Sequence, residues 1–230
     1  MDWTPIKKPS EIVEERITRS ILKGEFPANA NLPAERQLAE MLGITRPTLR
    51  EALQRLSRDG WVEIRQGKPT RVCDLWRDGN LQILGAIAKD VEDLPQDFIP
   101  NLLQIRVLLA PAYTRQALES APSQVADFMA AYLDLPDDAE IFSRRDWALH
   151  HQLTVLSGNP IYTLILNGFK DMYLMMAPHY FSAASAREHS RNFYQGVLRA
   201  AQAGDGEAAE ALTRQVMQES LHFWQRTIEP

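Results

Sequence analysis

A chain of 230 residues with 45% apolar and 24% charged side chains can bury two small cores, and that composition excludes a disordered or fibrous protein. Its one cysteine, Cys73, excludes an internal disulfide and any cysteine-rich zinc site. No apolar run reaches the ~18 residues that a membrane span needs, and the first residues lack the basic-then-apolar order of a secretory signal, so a cytoplasmic protein with no membrane partner is expected.

Ser10 can cap a first helix with Glu11 in its first turn, and Val13, Ile17 and Ile21 recur at four-residue spacing until Gly24. Pro33 opens a second, short helix with Leu38, Met41 and Leu42 on its apolar side, ended by Gly43. Thr45 can cap a third, Pro47 is tolerated in its first turn, and Leu49, Ala52, Leu53 and Leu56 follow the i, i+3, i+4, i+7 pattern up to Gly60. Val62 and Ile64 then alternate with charged residues, Gln66-Gly67-Lys68-Pro69 supplies turn chemistry, and Thr70-Arg71-Val72 can return as the partner strand. Three helices plus a β-hairpin wing predict a winged helix-turn-helix over residues 1–73, followed by a linker over 74–80.

From Leu81 onward strand-like alternation does not reappear, and Gly and Pro are read as segment edges. Helices are expected at Leu81–Ala88, Pro100–Ser120, Ser123–Leu135, Phe142–Ser157, Pro160–Ala177, Ala186–Ala203 and Glu207–Thr227. The fold class is therefore mostly α: a winged helix-turn-helix, then an all-α helical bundle over 81–230 suited to a ligand.

Residues 1–72 hold 13 Lys+Arg against 10 Asp+Glu, a charge of +3, while residues 73–230 hold 12 against 20, a charge of −8. Only the first part suits phosphates. Arg46, Thr48 and Arg50 fall in the first turns of the third helix, off the Leu49/Leu53/Leu56 stripe, where a recognition helix presents side chains to base edges. Arg36 can add a contact from the second helix, and Gly67 with Lys68 stands at the wing tip. The competing reading makes these solvated surface arginines on a winged helix used for protein contacts.

In the last helix Leu212, Val216 and Phe223 define an inward stripe, and a 100° wheel puts Glu219 in its middle with Ser220 and Trp224 beside it. A carboxylate there needs a partner, either an internal salt bridge or a polar ligand. Leu102, Ile105, Leu109, Ile165, Phe169, Tyr173 and Met176 can line an apolar tunnel, and core packing explains them equally well. Asp146 and His150 share a helix face at i, i+4 spacing, either as the start of a metal site or as a hydrogen-bonded core pair. No nucleophile motif, phosphate loop or carboxylate dyad accompanies them, so an enzyme is not expected.

The segment LPAERQLAEMLGITRPTLREALQRLSRDGWVEIRQGKPTRV, Leu32 to Val72, resembles the winged helix of the GntR family of bacterial transcription regulators. Its DGW and GKPT elements, with NLLQIR (Asn101–Arg106), SGNPIYTLILNG (Ser157–Gly168) and HYF (His179–Phe181), resemble the FadR branch of that family over nearly the whole chain. The resemblance implies DNA contacts by Arg36, Thr45, Arg46, Thr48, Arg50, Gly67 and Lys68 on a palindromic double-stranded operator bound by a homodimer. Pro47 stands where a threonine is usual, and Gln66 replaces a wing-tip histidine. It further implies an effector, long-chain fatty acyl-CoA, held by Glu219, Ser220 and Trp224 with Arg106 and Tyr180 facing them, and no cofactor. Met217 and Leu221 stand where relatives can have glycine, which would narrow the opening. Other GntR relatives hold a metal with one Asp and three His. Here the later histidine positions carry Tyr194 and Met217, and a regulator that senses a small carboxylate with a metal remains the alternative.

Overall fold

A computed structural model describes residues 7–87 and 97–228, with the backbone alone at 82 and 225–228. The chain divides into two compact units, Met1–Leu94 and Pro95–Pro230.

In the first unit, α1 (Pro9–Leu22), α2 (Glu35–Leu42) and α3 (Arg46–Arg58) are followed by β1 (Val62–Glu63) and β2 (Arg71–Val72). Proline, with its preset φ, takes the first position of α1, so the cap falls on Lys8 rather than on Ser10, and the Glu11 carboxylate accepts the Lys8 backbone N–H at 3.1 Å. Both α1 and α2 pack on α3. Val13, Ile17 and Ile21 of α1, Leu38 of α2, and Leu49, Ala52, Leu53 and Leu56 of α3 are all buried. Met41, expected on the apolar side of α2, is instead exposed, and Ala39 takes its place in the core.

The hairpin pairs Val62 with Val72 and Glu63 with Arg71. It is shorter than the alternation predicts, and Ile64 is exposed beyond its end. The segment before α2 supplies a third pairing, with Asn29 N–H donating to Val72 O at 2.9 Å and Leu32 N–H to Thr70 O at 2.8 Å. The wing is thereby tied to the entrance of the helix-turn-helix. At its tip Gly67 has φ 71°, a left-handed conformation that a side chain would strain, and Lys68 N–H closes the turn on Arg65 O at 3.2 Å.

The expected linker contains a helical turn, α4 (Leu75–Asp78), and α5 (Gln82–Ile87) follows it. Within the first unit α5 packs against α1 and buries Ile83 and Ile87, so that compact unit runs past residue 80. Ala88, the expected end of this helix, lies outside the described residues.

The second unit is helical throughout its described residues: α6 (Phe98–Ser120), α7 (Pro122–Ala130), α8 (Ala139–Leu156), α9 (Pro160–Gly168), α10 (Lys170–Phe181), α11 (Ala184–Ala203) and α12 (Gly206–Ile228). Here α6 lies along α12, α8 along α10, and α11 against both α7 and α12. Phe142, Leu149, Met129, Leu118 and Val197 fill the centre. The helix expected over Pro160–Ala177 is two, broken at Phe169. Pro111 and Pro178 stand inside helices rather than at their edges. Gly196 is also internal, and a Cβ there would meet Leu212 Cδ2 of α12 at 2.4 Å. Its missing side chain is what lets α11 and α12 approach.

Leu49 is wholly buried at the centre of the first unit. Leu49→Ala is expected to cost about 2–5 kcal/mol and to lower the urea midpoint followed by circular dichroism, whereas an unchanged midpoint would mean that α3 is not anchored through this side chain.

Candidate nucleic-acid interface and ligand cavities

The first unit carries a polar groove of about 510 Å³ between the start of α2, the start of α3 and the wing, lined by Arg36, Arg46, Arg50 and Lys68 beside Gly67. The fold brings these side chains together because the α2–α3 turn and the Asn29–Leu32 pairing set the two helix N-termini beside the wing tip. Arg36, Arg46, Arg50, Gly67 and Lys68, all expected to read DNA, thus share one surface. Thr45 and Thr48 instead hold the start of α3, with Thr45 Oγ1 accepting the Thr48 N–H at 3.4 Å and the two hydroxyls 2.9 Å apart. Gln66 is exposed in the turn next to Gly67.

One carboxylate enters this groove, and it is absent from the expected set. Glu35 Oε2 accepts Arg50 Nε at 2.7 Å and lies 3.8 Å from Arg46. Its only sequence signal is its place beside Arg36 in the first turn of α2. Four cations against one carboxylate leave the groove electropositive, as a polyanion requires.

The second unit holds two apolar cavities of about 70 Å³ each. The first lies between α6, α10 and α12 and gathers Arg106, Tyr180, Ser220 and Trp224. The second lies between α6, α8 and α9 and is lined mainly by Leu109, Trp147, Ile165 and Phe169, with His150, Tyr113 and Tyr162 among its polar members. Leu102, Leu103, Arg106 and Tyr173 line both.

Tyr180 Oη donates to Ser220 Oγ at 3.2 Å, and Ser220 Oγ donates back to Val216 O at 2.9 Å. Trp224 Nε1 is buried and has no hydrogen-bond partner among the described residues. Glu219 does not join these groups. The buried face of α12 is Thr213, Val216, Met217, Ser220 and Trp224, about one residue round from the stripe that Leu212, Val216 and Phe223 define. Glu219 is 42% exposed at the edge of that face, accepts Gln215 Nε2 at 2.9 Å and sits 3.4 Å from His189 Nε2. Met217 is buried in the apolar core and lines neither cavity.

Between the cavities Arg106 donates to Asp146 Oδ2 at 2.8 Å. Tyr173 donates to the same oxygen, and Tyr194 donates to Oδ1 at 2.8 Å. Burial works against the Asp146 carboxylate, yet the Arg106 cation and these two hydroxyls hold its pKa below the usual range. Burial, then the Asp146 anion, push the pKa of Tyr173 and Tyr194 well up, so both keep the protons they donate. His150 does not make the expected hydrogen bond to Asp146, because Nε2 stands 3.7 Å from Oδ2 and Nδ1 is engaged by Tyr113 Oη at 2.8 Å. Burial, then the Arg106 cation, depress His150 to about 3, and the ring is neutral. The Asp146 oxygens are surrounded by proton donors. Among the described residues no group of three His, Cys, Asp or Glu side chains could hold a metal ion.

Residues 9–72 match the family described as bacterial regulatory proteins, gntR family, and residues 73–229 match the FadR C-terminal domain. The chain belongs to the FadR group of the GntR family. FadR-group proteins similar to it include the fatty acid metabolism regulator protein of Shewanella denitrificans, 43% identical over 96% of this chain and 92% of that one. That of Shewanella oneidensis is 43% identical over 95% and 91%. Among solved structures, Lar, which controls expression of the Listeria monocytogenes agr system and mediates virulence, shares the fold with a TM-score of 0.65 at 18% identity, covering 97% of this chain and 99% of that one. As a FadR-group regulator the chain is a transcription regulator and not an enzyme, and no described helix is long and apolar enough to cross a membrane.

Removing one partner of a buried ion pair strands the other charge, whereas removing both leaves an apolar contact. Arg106→Leu is expected to destabilise the protein by about 3–5 kcal/mol, and Arg106→Leu with Asp146→Leu by clearly less. Equal losses in urea titrations of the two variants would mean that the pair is not the organising contact of these helices.

Proposed function

We propose that the protein regulates fatty acid metabolism genes as a cytoplasmic homodimer that binds a palindromic DNA operator and is released from it by long-chain fatty acyl-CoA. The observation that carries this reading is the meeting of two apolar cavities at Arg106 and Tyr173, beside Ser220, Tyr180 and Trp224, in a chain 43% identical to fatty acid metabolism regulators. The electropositive groove supports the DNA half. Arginine pairs bidentately with guanine, which discriminates against a wrong base by about 1–3 kcal/mol. Two-fold symmetry of the dimer matches that of a palindrome. Repression at some promoters and activation at others follow from where the operator lies.

A long acyl chain needs far more room than cavities of about 70 Å³, since ligand pockets run to about 300–1,000 Å³. Entry of the chain therefore has to part α6, α10 and α12, and a packed core yields by switching arrangement rather than by stretching. The new arrangement disfavours the DNA-reading geometry of the dimer. Linkage then requires operator DNA to weaken acyl-CoA binding by the same factor by which acyl-CoA weakens DNA binding.

Fluorescence anisotropy with a labelled fatty-acid-gene operator and a scrambled duplex, each with and without micromolar oleoyl-CoA, tests the reading. Specific binding reversed by oleoyl-CoA is expected. Specific binding that ignores it removes the effector half, and equal binding to both duplexes removes the operator. Arg50→Ala should weaken operator binding and spare oleoyl-CoA binding, while Trp224→Ala should do the reverse; a matched loss of both activities in each variant would contradict the division of labour.

Glu35 shares out the charge of two arginines that would otherwise face any phosphate. Glu35→Gln is expected to tighten binding to the scrambled duplex more than to the operator and to steepen the salt dependence of binding by about one unit of slope. An unchanged operator-to-scrambled ratio would mean that Glu35 does not tune selectivity.

A further inference from the structure

The second cavity is walled mainly by apolar side chains, with Arg106 and Tyr173 in the wall it shares with the first, and His150 stands 1% exposed beside Tyr113 in its lining. Nδ1 of His150 is committed to the Tyr113 hydroxyl at 2.8 Å, and the ring stacks on Phe193 at 6.1 Å between centroids. The ring is held in place, with its remaining nitrogen, Nε2, buried and without a hydrogen-bond partner. Buried polar groups are nearly always satisfied, and an exception calls for a physical explanation. Nothing in the Asp146 network uses this nitrogen, because the nearest carboxylate oxygen is 3.7 Å away and already accepts Arg106 and Tyr173.

We propose that the second cavity is a subsite for an acyl chain bearing a hydroxyl group, with His150 Nε2 as the hydrogen-bond partner of that hydroxyl. This inference rests on the acyl-CoA reading above. The first cavity presents Ser220, Tyr180 and Trp224, and the second lies across a common wall of Leu102, Leu103, Arg106 and Tyr173. A chain whose head lies at the first cavity, and whose entry parts that wall, places its methylenes, and a substituent on them, in the second. The charges nearby select the substituent. Arg106 and Asp146 are paired with each other at 2.8 Å, so neither charge is left over to hold a carboxylate or an amine. A hydroxyl is neutral, and it either accepts from Nε2–H or donates to a bare Nε2, so it fits both tautomers of the neutral ring. An unsubstituted chain fills the same space and leaves Nε2 dry. A site built around a polar partner rejects the analogue that lacks it far more strongly than an apolar pocket rejects an extra methylene.

Calorimetric titration of the full chain with octadecanoyl-CoA and with its 3-, 10- and 12-hydroxy counterparts tests the proposal, in the wild type, in His150→Phe and in His150→Gln. At least one hydroxylated isomer is expected to bind the wild type about 10-fold more tightly than the unsubstituted chain, well within what a hydrogen-bonding site discriminates. His150→Phe should abolish that preference, and His150→Gln, which retains a polar group, should keep part of it. A wild type that prefers none of the three isomers overturns the proposal, and so does a preference that survives in His150→Phe. Should His150→Phe not fold, the wild-type comparison and the partial preference of His150→Gln still decide it. Equal binding of all four thioesters refutes the hydroxyl subsite and leaves the acyl-CoA effector standing, whereas binding of none refutes both.

Discussion

Asp146 is an anion buried in the middle of a helical bundle, and the bundle is arranged around its needs. Arg106 reaches it from α6, Tyr173 from α10 and Tyr194 from α11, so one carboxylate on α8 ties four helices together. Each donor comes from a different part of the chain; loss of Arg106 would strand a charge in a low-dielectric interior, and loss of either tyrosine hydroxyl would leave a buried carboxylate short of a hydrogen bond. Burial against apolar neighbours gives these helices their adhesion, but hydrophobic contact is not directional. The Asp146 network sets their register.

The same network divides the apolar interior in two. Arg106 and Tyr173 stand in the wall of both cavities, so anything that joins the cavities has to displace or bypass the pair that fixes the helices. Cavity space and structural register are thereby coupled in a single set of side chains. In a bundle held by apolar packing alone, a chain-shaped ligand would swell the core locally. Here it contends with the contact that orders four helices.

The winged helix was legible because its signals are local. A four-residue apolar spacing, Thr45 at a cap and glycine-bearing turns each speak for themselves, and α3 begins where Thr45 predicts. Electrostatic contacts across distance were not legible. Arg106 and Asp146 are 40 residues apart, and Glu35 meets Arg50 across a turn whose geometry no spacing rule supplies. The break at Phe169 is hard to read because Ile161–Leu166 is apolar but for Thr163, so its periodicity carries little phase. Glu219 was misplaced for a related reason. Leu212 and Phe223, two of the three residues that define the stripe, are only half-buried, and a wheel drawn through them turns the carboxylate inward.

The Glu35 contact has a kinetic side. A regulator finds its operator among about 10⁶–10⁹ competing stretches of DNA, sliding and hopping along the duplex through its phosphate contacts alone. An arginine already paired within the protein holds each wrong stretch less tightly, since a phosphate must first draw it away from Glu35. Residence on each random stretch shortens, and more of them are sampled in a given time. One acidic side chain among the cations of the reading groove would thus quicken the search, at some loss of grip on DNA that carries no message.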